Sequence, residues 1–184
     1  MLRNLPNVIT FIRIVLAPII AFILWQPQNA YLGSLGLALF CLAGFSDWLD
    51  GWLARRLNTV SSVGRMLDPI ADKLLIAACL LAFATQRSAD LLFLAPALVI
   101  IFREFLVSGL REYLAGTKVI VPVSLAAKWK TAIQMTAIGC LIALPAFPEF
   151  SWLDTIGLIL LWISAALTVQ TALAYFQASA SHFK

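Results

Sequence analysis

The chain has 184 residues, of which 62% are hydrophobic and only 12% are charged. Soluble domains average about half apolar and about a quarter charged residues, so this composition excludes an ordinary soluble protein and indicates one embedded in a membrane. The formal net charge is +4, but the basic residues are spread over several loops, which argues against a nucleic-acid partner.

Six apolar runs predict six membrane-spanning helices. A spanning helix needs about 20 mostly apolar residues, and a chain of this length holds about six of them with short loops between. The predicted spans cover residues 8–25, 30–53, 67–85, 91–110, 131–144 and 152–176. We therefore expect an all-α integral membrane protein with six transmembrane helices, in which residues 1–184 form a single domain.

The basic residues predict the orientation of these helices. With an even number of spans, both termini lie on one side, and the loops on that side hold nearly all of the lysines and arginines outside the spans. The opposite loops hold only Arg87. Because positive charge in short loops marks the cytoplasmic side, we expect both termini to be cytoplasmic.

Four aspartates interrupt the apolar pattern where the second span ends and the third begins: Asp47, Asp50, Asp68 and Asp72. Helical residues three and four apart share a face, so the first two point the same way, and so do the last two. The short connection predicts that the two helices are antiparallel neighbours. The four carboxylates would then converge in a polar active site at the cytoplasmic end of the bundle.

Carboxylates this close repel one another in a poorly hydrated site, unless some are protonated or cations lie among them. Hard cations such as magnesium take oxygen ligands, and pairs of them recur in phosphoryl-transfer sites. Gly51, Ala54 and Gly64 leave room for a bulky ligand near the backbone, and Arg55 can hold a phosphate.

These residues also have ordinary explanations when each is taken alone. Asp68 before Pro69 is typical of a helix N-cap followed by proline. Small residues allow close helix packing, and arginines suit a cytoplasmic loop. None of this explains Asp47 and Asp50 inside an apolar helix, where ionisable groups are energetically unfavourable and usually functional.

The spacing of these residues resembles a known signature. It matches the CDP-alcohol phosphotransferase family at eight fixed positions: Asp47-x-x-Asp50-Gly51-x-x-Ala54-Arg55, eight residues, Gly64, three residues, Asp68, three residues, Asp72. The resemblance implies a six-helix enzyme of the bacterial inner membrane, usually a homodimer, with its active site facing the cytoplasm. It further implies that an alcohol displaces CMP from a CDP-linked donor, with two divalent cations, magnesium or manganese, as cofactors.

Three other stretches are similar to the bacterial phosphatidylglycerophosphate synthases of this family: "NLPNVITFIRIVLAP", "FREFLVSGLREYLAG" and "AAKWKTAIQM". This likeness implies CDP-diacylglycerol, a membrane lipid, as the donor and sn-glycerol 3-phosphate as the acceptor. The products would be phosphatidylglycerol phosphate and CMP.

The resemblance also implies roles for individual residues. The four aspartates would bind the cations, and Asp72 would also be the general base that takes the proton of the acceptor hydroxyl. In the opening stretch "NLPNVITFIRIVLAP", Asn7, Thr10 and Arg13 recur every three residues and therefore share a helix face. The residues implied in binding CDP-diacylglycerol lie in the opening stretch and between the end of the second span and the start of the third: Asn7, Thr10, Gly51, Ala54, Arg55, Ser61 and Gly64.

Three cations near the cytoplasmic ends of the fourth and fifth helices predict a pocket for the phosphate of the acceptor: Arg103, Arg111 and Lys130. An arginine inside a span needs an anionic partner. We expect Glu104 not to be that partner, because adjacent helical residues point apart. So many positive charges favour a phosphorylated acceptor over choline, serine or inositol.

Two other functions fit part of the pattern. The first is an enzyme of the same family with another acceptor, either phosphatidylglycerol, as in a cardiolipin synthase, or inositol phosphate. From a different class, a small cation or proton-coupled transporter also needs membrane carboxylates. Such transporters bind near the bilayer midplane between broken helices of internal repeats, whereas the charges here cluster toward one membrane face.

Overall fold

The computed structural model describes residues 5–26, 28–57, 62–87, 90–116 and 125–179. In these ranges the regular structure is helical throughout. The helices are α1 (Leu5–Trp25), α2 (Ala30–Leu57), α3 (Ser62–Gln86), α4 (Leu91–Gly116), α5 (Leu125–Ala143) and α6 (Trp152–Ser179). The prediction of an all-α fold with six helices is confirmed.

Several helices extend past the predicted apolar runs. α2 continues to Leu57, α3 begins at Ser62, and α4 continues to Gly116. A helix is held by its backbone hydrogen bonds, so it continues through charged residues that end a hydropathy run. As a result, Ala54, Arg55, Gly64 and Arg111, which lie outside the predicted spans, are on helices. The four aspartates lie on α2 and α3, as predicted.

Within the described residues, four of the six helices are long and apolar enough to cross a membrane. The qualifying stretches in α1, α2, α4 and α6 are Val8–Trp25, Ala30–Asp47, Leu91–Glu112 and Trp152–Gln177. Large apolar side chains such as Phe22, Leu92 and Phe102 are exposed on the outside of the bundle. Polar side chains such as Arg13 and Gln134 are fully buried inside it. This inverts the pattern of soluble proteins and suits an apolar surrounding.

The helices do not pack in the order in which they follow one another along the chain. α1 packs extensively against both α2 and α3, α6 packs against both α4 and α5, and α2 also contacts α5. Among the described residues, direct contact between α2 and α3 is slight at most. The prediction that α2 and α3 are direct neighbours is therefore wrong for this part of the chain. A short connection limits the distance between two helix ends, but it leaves room for a third helix to lie against both.

Polar side chains also fasten the other end of the bundle. Gln28 Nε2 donates to the carbonyls of Ile23 and Leu24, at 3.0 and 2.9 Å, where the last turn of α1 leaves acceptors without helical partners. Arg87, after α3, forms an ion pair with Asp154 at the start of α6. Gln86, at the end of α3, also donates to the Leu24 carbonyl of α1. Together with the Arg87–Asp154 pair, this contact joins α3 to α1 and to α6 at the end remote from the aspartates.

Candidate active site

A single buried arginine joins the three helices that carry the predicted site. Arg13 of α1 is fully buried. Its Nη1 donates to Asp47 Oδ1 on α2 and to Asp72 Oδ1 on α3, each at 2.6 Å. Because both distances are measured from one nitrogen, the two carboxylate oxygens lie no farther apart than twice 2.6 Å. The predicted meeting of carboxylates from α2 and α3 therefore occurs through α1.

A second contact fixes the register of α1 on α3. Thr10 Oγ1, one turn before Arg13, donates to Asp68 Oδ1 at 2.7 Å. Residues three or four apart share a helix face, so the contacts of Thr10 and Arg13 meet Asp68 and Asp72 one turn apart. Thr10 is itself buried, and its hydroxyl faces a carboxylate of the site.

The carboxylates held by Arg13 face a cavity. The side chains of Asp47 and Asp72 are 49% and 47% exposed, whereas that of Arg13 is 1% exposed. The cavity has a volume of about 240 Å³. It is lined by Arg13, Ala43, Gly44, Asp47, Asp72, Leu75, Ile76, Thr131 and Met135. A ligand that enters it thus meets carboxylate oxygens on a largely apolar wall.

The chemistry of these groups suits a hard cation. Carboxylate oxygens are the ligands that magnesium and manganese prefer. Asp47 on α2 and Asp72 on α3 each place one such oxygen next to the same nitrogen of Arg13, so the two oxygens are close together. Among the side chains that the structure describes, no three carboxylates, imidazoles or thiols form a cation site. Asp50 is outside that comparison, because its side chain is not described.

A second cavity of about 220 Å³ lies against the first. It is lined by Pro69, Asp72, Lys73, Ile76, Arg103, Glu104, Arg111, Lys130 and Thr131. Three residues, Asp72, Ile76 and Thr131, line both cavities. Asp72 therefore stands on the wall between a space rich in carboxylates and a space rich in cations.

The second cavity brings together the three cations predicted to form an acceptor pocket. Its lining carries four basic side chains, Lys73, Arg103, Arg111 and Lys130, against two carboxylates, Asp72 and Glu104. With all six ionised, four positive and two negative charges leave an excess of two positive charges. A phosphate monoester close to its dianionic form would balance that excess.

The structure corrects the prediction about the partner of Arg103. Arg103 Nη1 donates to Glu104 Oε1 at 3.2 Å, so Glu104 is its anionic partner. The rule that adjacent helical residues point apart concerns the Cα–Cβ directions, and two long side chains can still turn toward each other. Arg103 also donates to the Thr168 carbonyl at 3.0 Å and to Thr171 Oγ1 at 2.8 Å, so α6 holds its guanidinium in place.

Sequence reasoning missed the part that three charged residues play in the site. Arg13 was placed on a polar helix face without a carboxylate partner. Lys73 lines the second cavity and bonds to Ser108 of α4. Glu104 forms an ion pair with Lys130 as well as with Arg103. The available signal was the same for all three: an ionisable residue within or beside an apolar run.

For several residues predicted to bind the donor or the cations, the structure describes the backbone only or nothing at all. Gly64 is buried near the start of α3. Ser61 lies outside the described residues. Five others lie on α1 or α2, but their side chains are not described: Asn7, Asp50, Gly51, Ala54 and Arg55.

Comparison with known proteins agrees with the signature. The family model for CDP-alcohol phosphatidyltransferase matches residues 3–170. The chain is 44% identical over 182 residues to a CDP-diacylglycerol–glycerol-3-phosphate 3-phosphatidyltransferase of Rickettsia typhi, covering 99% of this chain and 100% of the relative. Proteins of the same name from Pseudomonas fluorescens and Salmonella choleraesuis are 39% and 34% identical, over 98% and 96% of this chain and 92% and 94% of the relatives. The chain belongs to the CDP-alcohol phosphatidyltransferase family.

Proposed function

We propose that this membrane protein transfers the phosphatidyl group from CDP-diacylglycerol to sn-glycerol 3-phosphate, giving phosphatidylglycerol phosphate and CMP. The observation that carries the proposal is the position of Asp72 between the carboxylate cavity and the cation-lined cavity. In the proposed reaction, a phosphorylated alcohol attacks a metal-bound diphosphate. The two substrates therefore need adjacent sites, one rich in carboxylates for the metal and one rich in cations for the acceptor phosphate. Near full-length likeness to relatives named for this reaction supports the same acceptor.

The donor would lie with its acyl chains in the bilayer and its diphosphate in the first cavity. Asn7, Gly51, Ala54, Arg55, Ser61 and Gly64 would hold the CDP group. Thr10 would act through Asp68, to which it donates at 2.7 Å. Arg13 would keep Asp47 and Asp72 oriented toward the ligand.

The aspartates would hold two divalent cations, magnesium or manganese, at Asp47, Asp50, Asp68 and Asp72. Cations bound there would neutralise the negative charge that develops on the departing CMP. Carboxylate oxygens from α2 and α3 that share one arginine nitrogen support this assignment for Asp47 and Asp72.

The acceptor phosphate would bind in the second cavity among Lys73, Arg103, Arg111 and Lys130. This would place the glycerol end of the acceptor toward Asp72, with its primary hydroxyl as the attacking group. Asp72 would take the proton of that hydroxyl as its oxygen attacks the β-phosphorus of the donor. The new bond joins the glycerol oxygen to this phosphorus, the bond from it to the bridging oxygen breaks, and CMP leaves with that oxygen.

The first test of this proposal is the choice of acceptor. Purified protein with labelled CDP-diacylglycerol and magnesium should release CMP when glycerol 3-phosphate is added. Glycerol, inositol and serine should give little release, because they carry no phosphate to balance the cations of the second cavity. Inositol phosphate and phosphatidylglycerol test the two alternatives within the family. Faster release with either of these than with glycerol 3-phosphate would contradict the assignment.

Orientation in the membrane is a second part of the proposal. We propose six transmembrane helices in the bacterial inner membrane, with both termini and the active site on the cytoplasmic side. Four helices that are apolar enough to span, and basic residues concentrated on one side, support it. The homodimer that the family resemblance implies, and the single domain of residues 1–184, stay predictions.

Labelling of single cysteines tests this orientation. A cysteine at Ser62, at the start of α3, should react with an impermeant thiol reagent only from the cytoplasmic side. A cysteine at Gln28, between α1 and α2, should react only from the outside. Both belong in a background in which Cys41, Cys79 and Cys140 are replaced. The reverse labelling pattern would show that the charge-based orientation is wrong.

A further inference from the structure

One carboxylate lies among the cations of the second cavity without a role in the reaction as proposed. Glu104 Oε1 accepts a hydrogen bond from Lys130 Nζ and one from Arg103 Nη1, the latter at 3.2 Å. All three side chains are nearly buried, with exposed fractions of 14% for Glu104, 13% for Arg103 and 7% for Lys130. Glu104 thus binds two of the cations that the acceptor phosphate would use.

We propose that Glu104 is a specificity-determining residue that competes with the acceptor phosphate for Lys130 and Arg103. In the empty pocket its carboxylate is the anion for Lys130 and Arg103. A phosphate that enters takes over those cations, and Glu104 gives them up. This inference rests on the proposed function, because it takes the second cavity as the acceptor site.

The burial of Lys130 is the physical reason for such a residue. A buried ammonium without an anionic partner is strongly destabilising. With the pocket empty, Glu104 is that partner, while Arg103 is additionally held by Thr168 and Thr171 of α6. To displace Glu104, an acceptor must therefore bind these cations more strongly than a carboxylate does.

A phosphate dianion meets that requirement, and a neutral alcohol does not. The dianion carries more charge than a carboxylate and has three terminal oxygens to accept hydrogen bonds. The other two cations are placed to share it. Arg111 lies on the same face of α4 as Glu104 and Ser108, since the three positions recur at intervals of four and three residues. Ser108 in turn bonds to Lys73. Glu104 thus selects for charge by competition.

The same competition would help product release. The product keeps the phosphate of the acceptor, so a pocket that bound this group without a competitor would also hold the product. Return of Glu104 to Lys130 and Arg103 would assist its departure. Glu104 is therefore expected to weaken the binding of both the acceptor and the product.

The test compares Glu104→Gln with Glu112→Gln. Glu112 lies on the same helix but is exposed and does not line the cavity. Glu104→Gln should lower the KM for glycerol 3-phosphate by about tenfold, which is within the usual range for coupling between two binding events. The KM for CDP-diacylglycerol should stay unchanged. The inhibition constant of inorganic phosphate against glycerol 3-phosphate should fall by a similar factor. Glu112→Gln should change neither.

An unchanged or higher KM for glycerol 3-phosphate in Glu104→Gln, with unchanged or weaker inhibition by phosphate, would overturn the proposal. If Glu104→Gln does not fold, Glu104→Asp keeps the charge but shortens its reach to Lys130. It should then bind inorganic phosphate more tightly than the wild type, and equal or weaker binding would overturn the proposal.

Failure of the proposed function would look different. A wild-type protein that releases no CMP with glycerol 3-phosphate would contradict the acceptor assignment. Stabilisation of the purified protein by inorganic phosphate, measured as the rise in Tm, would still compare Glu104→Gln with the wild type. A larger rise in the variant is expected from competition, and an equal or smaller rise would overturn the role of Glu104.

Discussion

Asp72→Asn should lower the turnover number for CMP release by at least about 100-fold, the scale of a few kcal/mol of lost transition-state stabilisation. Asparagine keeps the shape of the side chain and can still accept a hydrogen bond from Arg13. It carries no charge for a cation and cannot take the proton of the acceptor hydroxyl. The measurement is release of CMP from labelled CDP-diacylglycerol at saturating glycerol 3-phosphate.

A matched control separates this chemistry from folding. Asp90→Asn makes the same change at the start of α4, where Asp90 Oδ1 accepts a hydrogen bond from the backbone of Leu92 at 2.9 Å. Asparagine is also a good N-cap, so this variant should keep its stability and its turnover. Near-normal turnover in Asp72→Asn would contradict both of its roles, as cation ligand and as base.

Asp47→Asn distinguishes those two roles from each other. Asp47 shares Arg13 with Asp72 but lines only the first cavity. Its replacement should therefore raise the concentration of magnesium needed for half-maximal activity. Asp72→Asn should stay slow even at saturating magnesium, since a lost base is not restored by added metal.

The local part of this site could be predicted from the sequence. The run lengths indicate helices, and the spacing of Asp68 and Asp72 places both on one face of α3. In the structure that face accepts hydrogen bonds from Thr10 and Arg13 of α1. These inferences depend only on neighbours within one or two turns, and helical geometry fixes such neighbours without reference to the rest of the fold.

The partners of the charges could not be predicted in the same way. Arg13 meets aspartates 34 and 59 positions away, and Arg103 reaches a residue 68 positions away on α6. Helical periodicity says which residues share a face but not which helix that face meets. The packing of α1 against both α2 and α3 is a property of the whole bundle, and the short connection between α2 and α3 suggested a different arrangement.

Arg13→Gln should abolish most of the activity and lower the thermal stability of the protein. The change removes the cation between Asp47 and Asp72, whose oxygens lie no farther apart than twice 2.6 Å. Removal of one partner from a buried ion pair costs about 3–5 kcal/mol. The loss here should be smaller, because both carboxylates are about half exposed and remain solvated. Turnover should fall by at least about 100-fold, because neither carboxylate keeps its orientation.

Arg87→Gln is the matched control for this variant. Arg87 is also paired with a carboxylate from another helix, Asp154 of α6, but at the opposite end of the bundle. Its replacement should lower the Tm and leave the turnover number unchanged. If Arg13→Gln retained turnover within about twofold of Arg87→Gln, Arg13 would be a structural anchor only.

The response to metal tests the positioning role of Arg13 most directly. Without the guanidinium, mutual repulsion of Asp47 and Asp72 is balanced by cations alone. Arg13→Gln should therefore recover part of its activity at high magnesium, whereas Asp72→Asn should not. Arg13→Lys keeps the charge but offers a compact ammonium in place of a planar fork, so its turnover should lie between those of the wild type and Arg13→Gln. A merely structural arginine would give neither the rescue by magnesium nor this order, because loss of packing around α1 is not repaired by an ion bound to the aspartates.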